Sequence, residues 1–583
     1  MAASEFETEY ETTYQVSESG VTRVSMKVEL KNLLSNIYAD KFSLSIGNTD
    51  LSGITVKDAK GTITPKVVQT QNQTTISFDF NNQVVGKDKV NTFYISYVSN
   101  DVANKNGAIW EVNIPPLDSD KATRKQTVIL VVPVTFGEPA FISPLADKTY
   151  LGKVEGVNVR SYIFATQTLG SKAVSAVFGK TQYLSFDLKY ALQNANPIKS
   201  KLTIALPMDT NYQKVFIEKI DPPPSGVVLD EDDNWVASYE VDPREIVNIK
   251  VEGLARVDFE PKAGEENIDL ARYLKPTAVW QSDALAIRNL AGELKSAREI
   301  YNYVVDHLSY DYGRIGAPGK RLGALAAFEN PLSAICTEFT DLFVALARAA
   351  GIPAREVLGF AFTNNDKLRP LSLTSDVLHS WPEYYDKGSR KWIQVDPTWG
   401  RTTGGVDYFS KFDLNHFAFV IHGLDPDSPL PAGAYKLEGA KKDVLVSAVS
   451  AVEFPKVTLL ISEISHNSKE VKVKIKNASG LGVDTKISAK TTPEGIIDYQ
   501  GEIKLPAYGE LELSLPLKQK LIEQTNIFFE DEFGRSQLTI NRGGTTKTIL
   551  VAQAVAGVCL AVGAGAALRL WIRRRKKKPF IYW

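Results

Sequence analysis

Long stretches of the first 260 residues place apolar side chains at every second position, and that spacing restricts this part of the chain to β-sheet. Val24, Met26, Val28 and Leu30 form one such run, and Ile76, Phe78 and Phe80 another. Successive strand residues point to opposite faces, so a period of two buries one face and leaves the other in water. Shorter runs recur at Phe42, Leu44 and Ile46, at Phe186 and Leu188, and at Leu202, Ile204 and Leu206. Turn signals such as NGA, FNNQ and DPPPSG separate them, the pattern of β-sandwiches. Two N-terminal β-sandwich modules are expected, 1–136 and 137–262, with the break near Gly137 after the strand TVILVVPV.

Between Asp283 and Leu308 the period becomes that of a helix. Ser296 and Glu299 make an S-x-x-E capping box ahead of Ile300, Tyr301, Val304 and Leu308, which share one face. A second stripe, Phe339, Leu342, Phe343, Leu346 and Ala350, stops at Gly351, a residue suited to a left-handed helix end, with Pro353 beyond. A central α+β domain over 263–430 follows. From Lys456 to Ile540 alternation returns in Val471, Val473 and Ile475 and in Leu511, Leu513, Leu515 and Leu517. An immunoglobulin-like β-sandwich is expected there, within a module spanning 431–545.

A chain of 583 residues is too long for one core and implies a multidomain protein, and 44% apolar with 23% charged residues is ordinary for globular modules. Seven positive charges fall between Arg569 and Lys578, so with a net charge of −1 the rest is mildly acidic. That balance argues against a nucleic-acid partner. The 21 residues from Thr548 to Leu568 carry no charge, and at about 1.5 Å per residue they match a hydrocarbon layer of about 30 Å. One transmembrane helix over 548–568 is expected. Trp571 and RRRKKK follow it, which places the tail 569–583 in the cytoplasm and the preceding domains outside a cell membrane crossed once. The start, MAASEFETEYETTY, has no apolar leader, so either an export signal is missing from this sequence or the chain is tail-anchored with its bulk inside. Gly557, Ala561 and Gly565 form a small-residue row on which two such helices could dimerise.

Cysteine usage isolates one residue. Cys559 lies in the apolar run, which leaves Cys336 alone and rules out an internal disulfide framework. Cys336 opens the second helical stripe, where free N–H groups and the helix dipole favour thiolate over thiol. Downstream, VLHSWPEYYDKGSRKWIQVDPTWG reads as two strands joined by a turn at Asp386 to Ser389, with His379 on the first and Asp396 ending the second. An imidazole beside a thiol can take its proton and later protonate a leaving amine, while a carboxylate on the other ring nitrogen fixes the tautomer. Trp381, Trp392 and Trp399 are expected to pack the hairpin, and Tyr310 and Tyr312 either line the cleft or brace it. His416, His422, Asp425 and Asp427 fit no standard metal spacing, so no metal and no cofactor is expected.

The block resembles the transglutaminase-like, papain-like superfamily. The residues that carry the resemblance are Cys336 opening a helix, GIPAR at 351–355, His379 with Trp381, and VDPTW at 395–399. It covers roughly 280 to 425, and Ile335 stands where that family often has Gly. The resemblance implies Cys336 as nucleophile, His379 as base and Asp396 as orienting acid, acting on a protein or peptide through a thioester. Hydrolysis is favoured over cross-linking. The second reading is an inert adhesion or scaffold protein whose β modules bind.

Overall fold

The alternating runs become strands, and most of the residues marked as inward are buried, with Phe42, Leu202, Leu511, Leu513 and Leu517 partly so. The computed structural model describes residues 5–47, 51–70, 73–116, 123–170, 172–262, 269–314, 321–361, 378–403, 406–410, 412–436 and 442–541. Val24, Met26, Val28 and Leu30 lie on the strand Thr22–Asn32 and are all buried. That strand sits between Phe6–Val16 and Val90–Ser99 in an eight-stranded sheet.

The break expected at Gly137 is corrected. Thr123–Pro133 on one side of it pairs with Val157–Phe164 on the other. Leu130, Phe164 and Phe178 share one core with Val24 and Phe93. Gly137, at φ +86°, instead closes the short turn Val134–Phe136. A glycine that turns the chain inside one module looks the same in sequence as one that separates two.

A second β module is built on Thr181–Gln193, which pairs along its length with Ile246–Asp258. Its other edge is filled by Val444–Val449. Those residues were expected in the module 431–545. They complete this sheet because a long strand left with an open edge exposes a row of unpaired backbone groups. The C-terminal unit accordingly begins at Lys456. Taken by itself, it has a three-stranded and a four-stranded sheet around Val471, Val473, Ile475, Ile487, Ile527 and Phe529.

The helix Cys336–Ala349 and a four-stranded antiparallel sheet form the central domain. The sheet order is Lys391–Gln394, Leu378–Asp386, Ala354–Ala361, His416–His422. Phe339, Leu342, Phe343 and Leu346 are fully buried, as their spacing requires. Gly351 takes φ +77° and the Ile352 N–H returns to the Ala347 carbonyl at 2.9 Å, closing the helix where the sequence stripe stops.

His416–His422 is an edge strand, yet its outer backbone is paired by side chains of the second β module. The Asn234 amide bonds both backbone groups of Ile421, at 2.7 and 2.8 Å, and Gln213 bonds both groups of Ala418, each at 2.9 Å. Asp232 accepts from the N–H groups of Gly423 and Leu424. A buried backbone group left unpaired costs about 1–3 kcal/mol. Asn234→Ala is therefore expected to destabilise the protein by about 2–4 kcal/mol in urea unfolding; a loss below about 0.5 kcal/mol, the range of neutral surface changes, would contradict this role.

The transmembrane part of the expected architecture is also corrected. Among the described residues no helix is long and apolar enough to cross a membrane, and the longest, Cys336–Ala349, has 14 residues. Residues 548–568, on which that expectation rested, lie outside the described residues. The described architecture is β-rich and multidomain, with helices concentrated in the central domain.

Candidate active site

The first turn of the Cys336 helix is fixed by a buried carboxylate. Glu338 accepts the Ile335 N–H at 3.0 Å and the Leu322 N–H at 3.0 Å, and pairs with Arg314 at 2.9 Å. An acid three residues into a helix relieves unpaired N–H groups and opposes the dipole. Cys336 thus opens a rigid element with its side chain only partly buried.

His379 is the second residue of the strand Leu378–Asp386 and lies opposite Gly359. Gly359 is required for close approach. A Cβ there would stand 2.1 Å from the Phe417 carbonyl oxygen, beside a bulge in the pairing with His416–His422. Without that approach the edge strand could not bring His416 to the site.

Asp396 does not end a strand as expected. The strand stops at Gln394, and Asp396 caps the short helix Pro397–Thr402, one oxygen accepting the Trp399 N–H at 2.9 Å. The D-P-T-W run explains this: Asp is a favoured cap, and Pro suits the first helical position because its missing N–H would be unpaired there. The other oxygen, Oδ2, faces two imidazoles, His379 Nε2 at 2.7 Å and His416 Nε2 at 3.1 Å. With Nε2 committed to Asp396, Nδ1 is the His379 nitrogen left for Cys336.

His379 is 2% exposed and Asp396 0%. Burial alone would lower the basicity of His379, but Asp396, and then Cys336, outweigh it and raise the imidazole to about 10. Burial likewise disfavours the Asp396 anion, and the two histidines reverse that, holding the carboxyl well below its usual range. The His379 contribution to stability is therefore full below its ordinary value of 6.5 and is lost as pH rises towards about 10. Wild-type stability is expected to decline across that window in denaturant titrations, and Asp396→Asn to flatten the decline. An equal decline in both proteins would contradict the pairing.

Aromatic rings wall the pair. Trp381 and Trp399 lie 5.9 and 5.7 Å from the His379 ring, and both are fully buried, as is nearly all of Trp392. They are packing residues, as expected. Tyr310 is half-buried with its hydroxyl raised by burial and then by Cys336, whereas Tyr312 is 59% exposed.

The four residues that invited a metal reading do not converge. His422 bonds Glu356 at 3.3 Å and the Pro429 carbonyl at 2.8 Å, and Asp425 accepts from the backbone of Asp427. His416, from the opposite end of the same strand, instead joins Asp396 and Asp413. The ligand-capable atoms of His379, Asp396 and His416 do lie within 4.8 Å of one another, a spacing that their shared hydrogen bonds account for. His416 was singled out only in that rejected metal set, and Asp413 not at all; the D-x-x-H spacing that joins them carries no weight alone.

Residues 284–397 match the family model described as the Transglutaminase-like superfamily, so the chain contains a transglutaminase-like domain. An uncharacterized protein of Haemophilus influenzae is 30% identical over 156 residues, covering 23% of this chain and 42% of that protein, so less than half of that relative's length is matched. Among solved structures, a protein from Cytophaga hutchinsonii described provisionally as a cysteine protease covers 46% of this chain and 97% of its own, at 18% identity and a TM-score of 0.28. The periplasmic domain of TgpA from Pseudomonas aeruginosa covers 39% and 91%, at 16% identity and a TM-score of 0.22.

Proposed function

We propose that Cys336, His379 and Asp396 form an acyl-transfer centre that opens amide bonds of a protein or peptide. The observation that carries this reading is the placement of one imidazole between a partly exposed thiol and a fully buried carboxylate, each on a different rigid element. The match of 284–397 to the transglutaminase-like model supports it.

The Cys336 thiolate attacks the amide carbonyl, and the carbonyl π electrons move to oxygen. N–H groups of the first helical turn, which have no intrahelical acceptor, can bond that oxyanion. Collapse of the adduct expels the amine, which takes the proton held on His379 and leaves a thioester on Cys336. The imidazole, now neutral, removes a proton from water as the water attacks the thioester; the acid is released and the thiolate–imidazolium pair returns. An amine in place of water would give transfer.

Hydrolysis is the favoured second half. The test is to supply glutamine-containing and backbone-amide peptides with and without a primary amine, and to follow free acid against amine conjugate by mass spectrometry. Free acid should dominate, and neither product should form with Cys336→Ala. Conjugate as the main product would move the function to cross-linking, and equal product from wild type and Cys336→Ala would remove it.

A further inference from the structure

The reaction described above uses one imidazole on Asp396, yet the carboxylate holds two. His416 Nε2 lies 3.1 Å from Asp396 Oδ2, and its Nδ1 lies 2.7 Å from Asp413 Oδ1. A neutral imidazole carries one N–H and one bare nitrogen. A bare nitrogen at either distance would set its lone pair against a carboxylate oxygen, so only the doubly protonated ring satisfies both contacts. The ring is 3% exposed and is boxed by Trp399, Phe412 and Trp381, with centroids at 4.5, 4.3 and 4.9 Å. Asp413 also accepts the Asn415 N–H, and the Asn415 amide donates at 2.8 Å to Glu111 of the first β module.

We propose that His416 is a positioning residue: a fixed, buried cation that divides the Asp396 carboxylate with His379 and so limits how tightly His379 holds the proton it must give to the leaving amine. The need to give up a proton rests on the acyl-transfer reading. If Asp396 served one ring alone, His379 would be a stronger base and a weaker acid, and expulsion of the amine would slow.

Other groups that carry or can lose charge surround the two rings. Cys336 and Tyr310 stand on the thiol side, Asp396 lies between the rings, and Asp413 and Glu111 lie beyond His416. The Tyr301 and Tyr408 hydroxyls are held neutral, chiefly by burial. For His416 itself, burial would lower its basicity, and the two carboxylates outweigh burial.

The chain has five histidines, so ring nitrogen-15 NMR of the full-length protein can follow each, assigned by single replacements. In wild type, His416 should show the imidazolium signature on both nitrogens at pH 8, and His379 should lose its proton near 10. In His416→Gln the repelling cation is gone, and the His379 midpoint should rise by about one to two units, a ten- to hundredfold tighter proton. His379 would then still be imidazolium at pH 10. Failure of the acyl-transfer reading has a different signature, alkylation of Cys336 that ignores His379→Ala. A neutral His416 at pH 8 in wild type, which requires no variant to fold, or a His379 midpoint unmoved or lowered in His416→Gln, overturns the proposal.

Discussion

Cys336→Ala is expected to lower turnover of an amide substrate by at least about 10³-fold while the fold persists. The side chain is partly exposed at the first position of its helix, and Ala is a good helix residue, so little packing is lost. What disappears is the only thiol among the described residues. His379→Ala should cost about 10²–10⁴-fold, the usual worth of a positioned acid–base group. Because nucleophile and base act as a unit, the double variant should be no slower than Cys336→Ala alone. Steady-state rates with matched circular dichroism spectra check this, and a double variant much slower than either single one would mean that the two residues act in separate steps.

Arg321→Met should be the most destabilising single change in the central domain, at about 3–5 kcal/mol. Arg321 donates to Asp341 at 3.0 Å and to Glu356 at 2.9 Å, and both carboxylates are 0% exposed. Trp280 Nε1 bonds Asp341 at 2.9 Å, Ser380 Oγ bonds Glu356 at 2.7 Å, and His422 adds a longer contact. Removing the guanidinium leaves two buried acids with too little positive charge. Burial raises Asp341, and Arg321 only partly opposes it, leaving the acid at about 7. Without Arg321 the acid rises further, so it takes up a proton and the deficit should shrink between pH 7.5 and pH 5. Urea midpoints at those two values check both the size and the trend. A deficit that grows towards pH 5 would contradict the assignment. Ser380 adjoins His379, so the same network also supports the strand that carries the base.

The helix stripe from Phe339 to Leu346 and its stop at Gly351 were readable because they depend on neighbours within one or two turns. That His379 and Asp396 approach each other was readable in part, because one local hairpin carries both, although Asp396 lies past the strand end and caps a helix. His416 was not. Its meeting with Asp396 depends on the register between Ala354–Ala361 and His416–His422 and on the bare backbone at Gly359, neither of which period or spacing encodes. The strand HFAFVIH is buried on both faces, so it shows no alternation from which a register could be inferred. Val444–Val449 escaped for a related reason: its partner, Thr181–Gln193, lies in a distant part of the chain. Gly137 misled because turn chemistry is local and does not say whether the strands it joins share a core.

The most direct test of the central claim is the rate at which iodoacetamide alkylates Cys336 at pH 6, measured on the chain carrying Cys559→Ser, with and without His379→Ala. No substrate is needed. A working pair predicts wild-type alkylation at least about tenfold faster than the His379→Ala variant, because an adjacent imidazole activates a thiol as a nucleophile. Equal rates in the two proteins would show that Cys336 and His379 do not act together, and would contradict the acyl-transfer account.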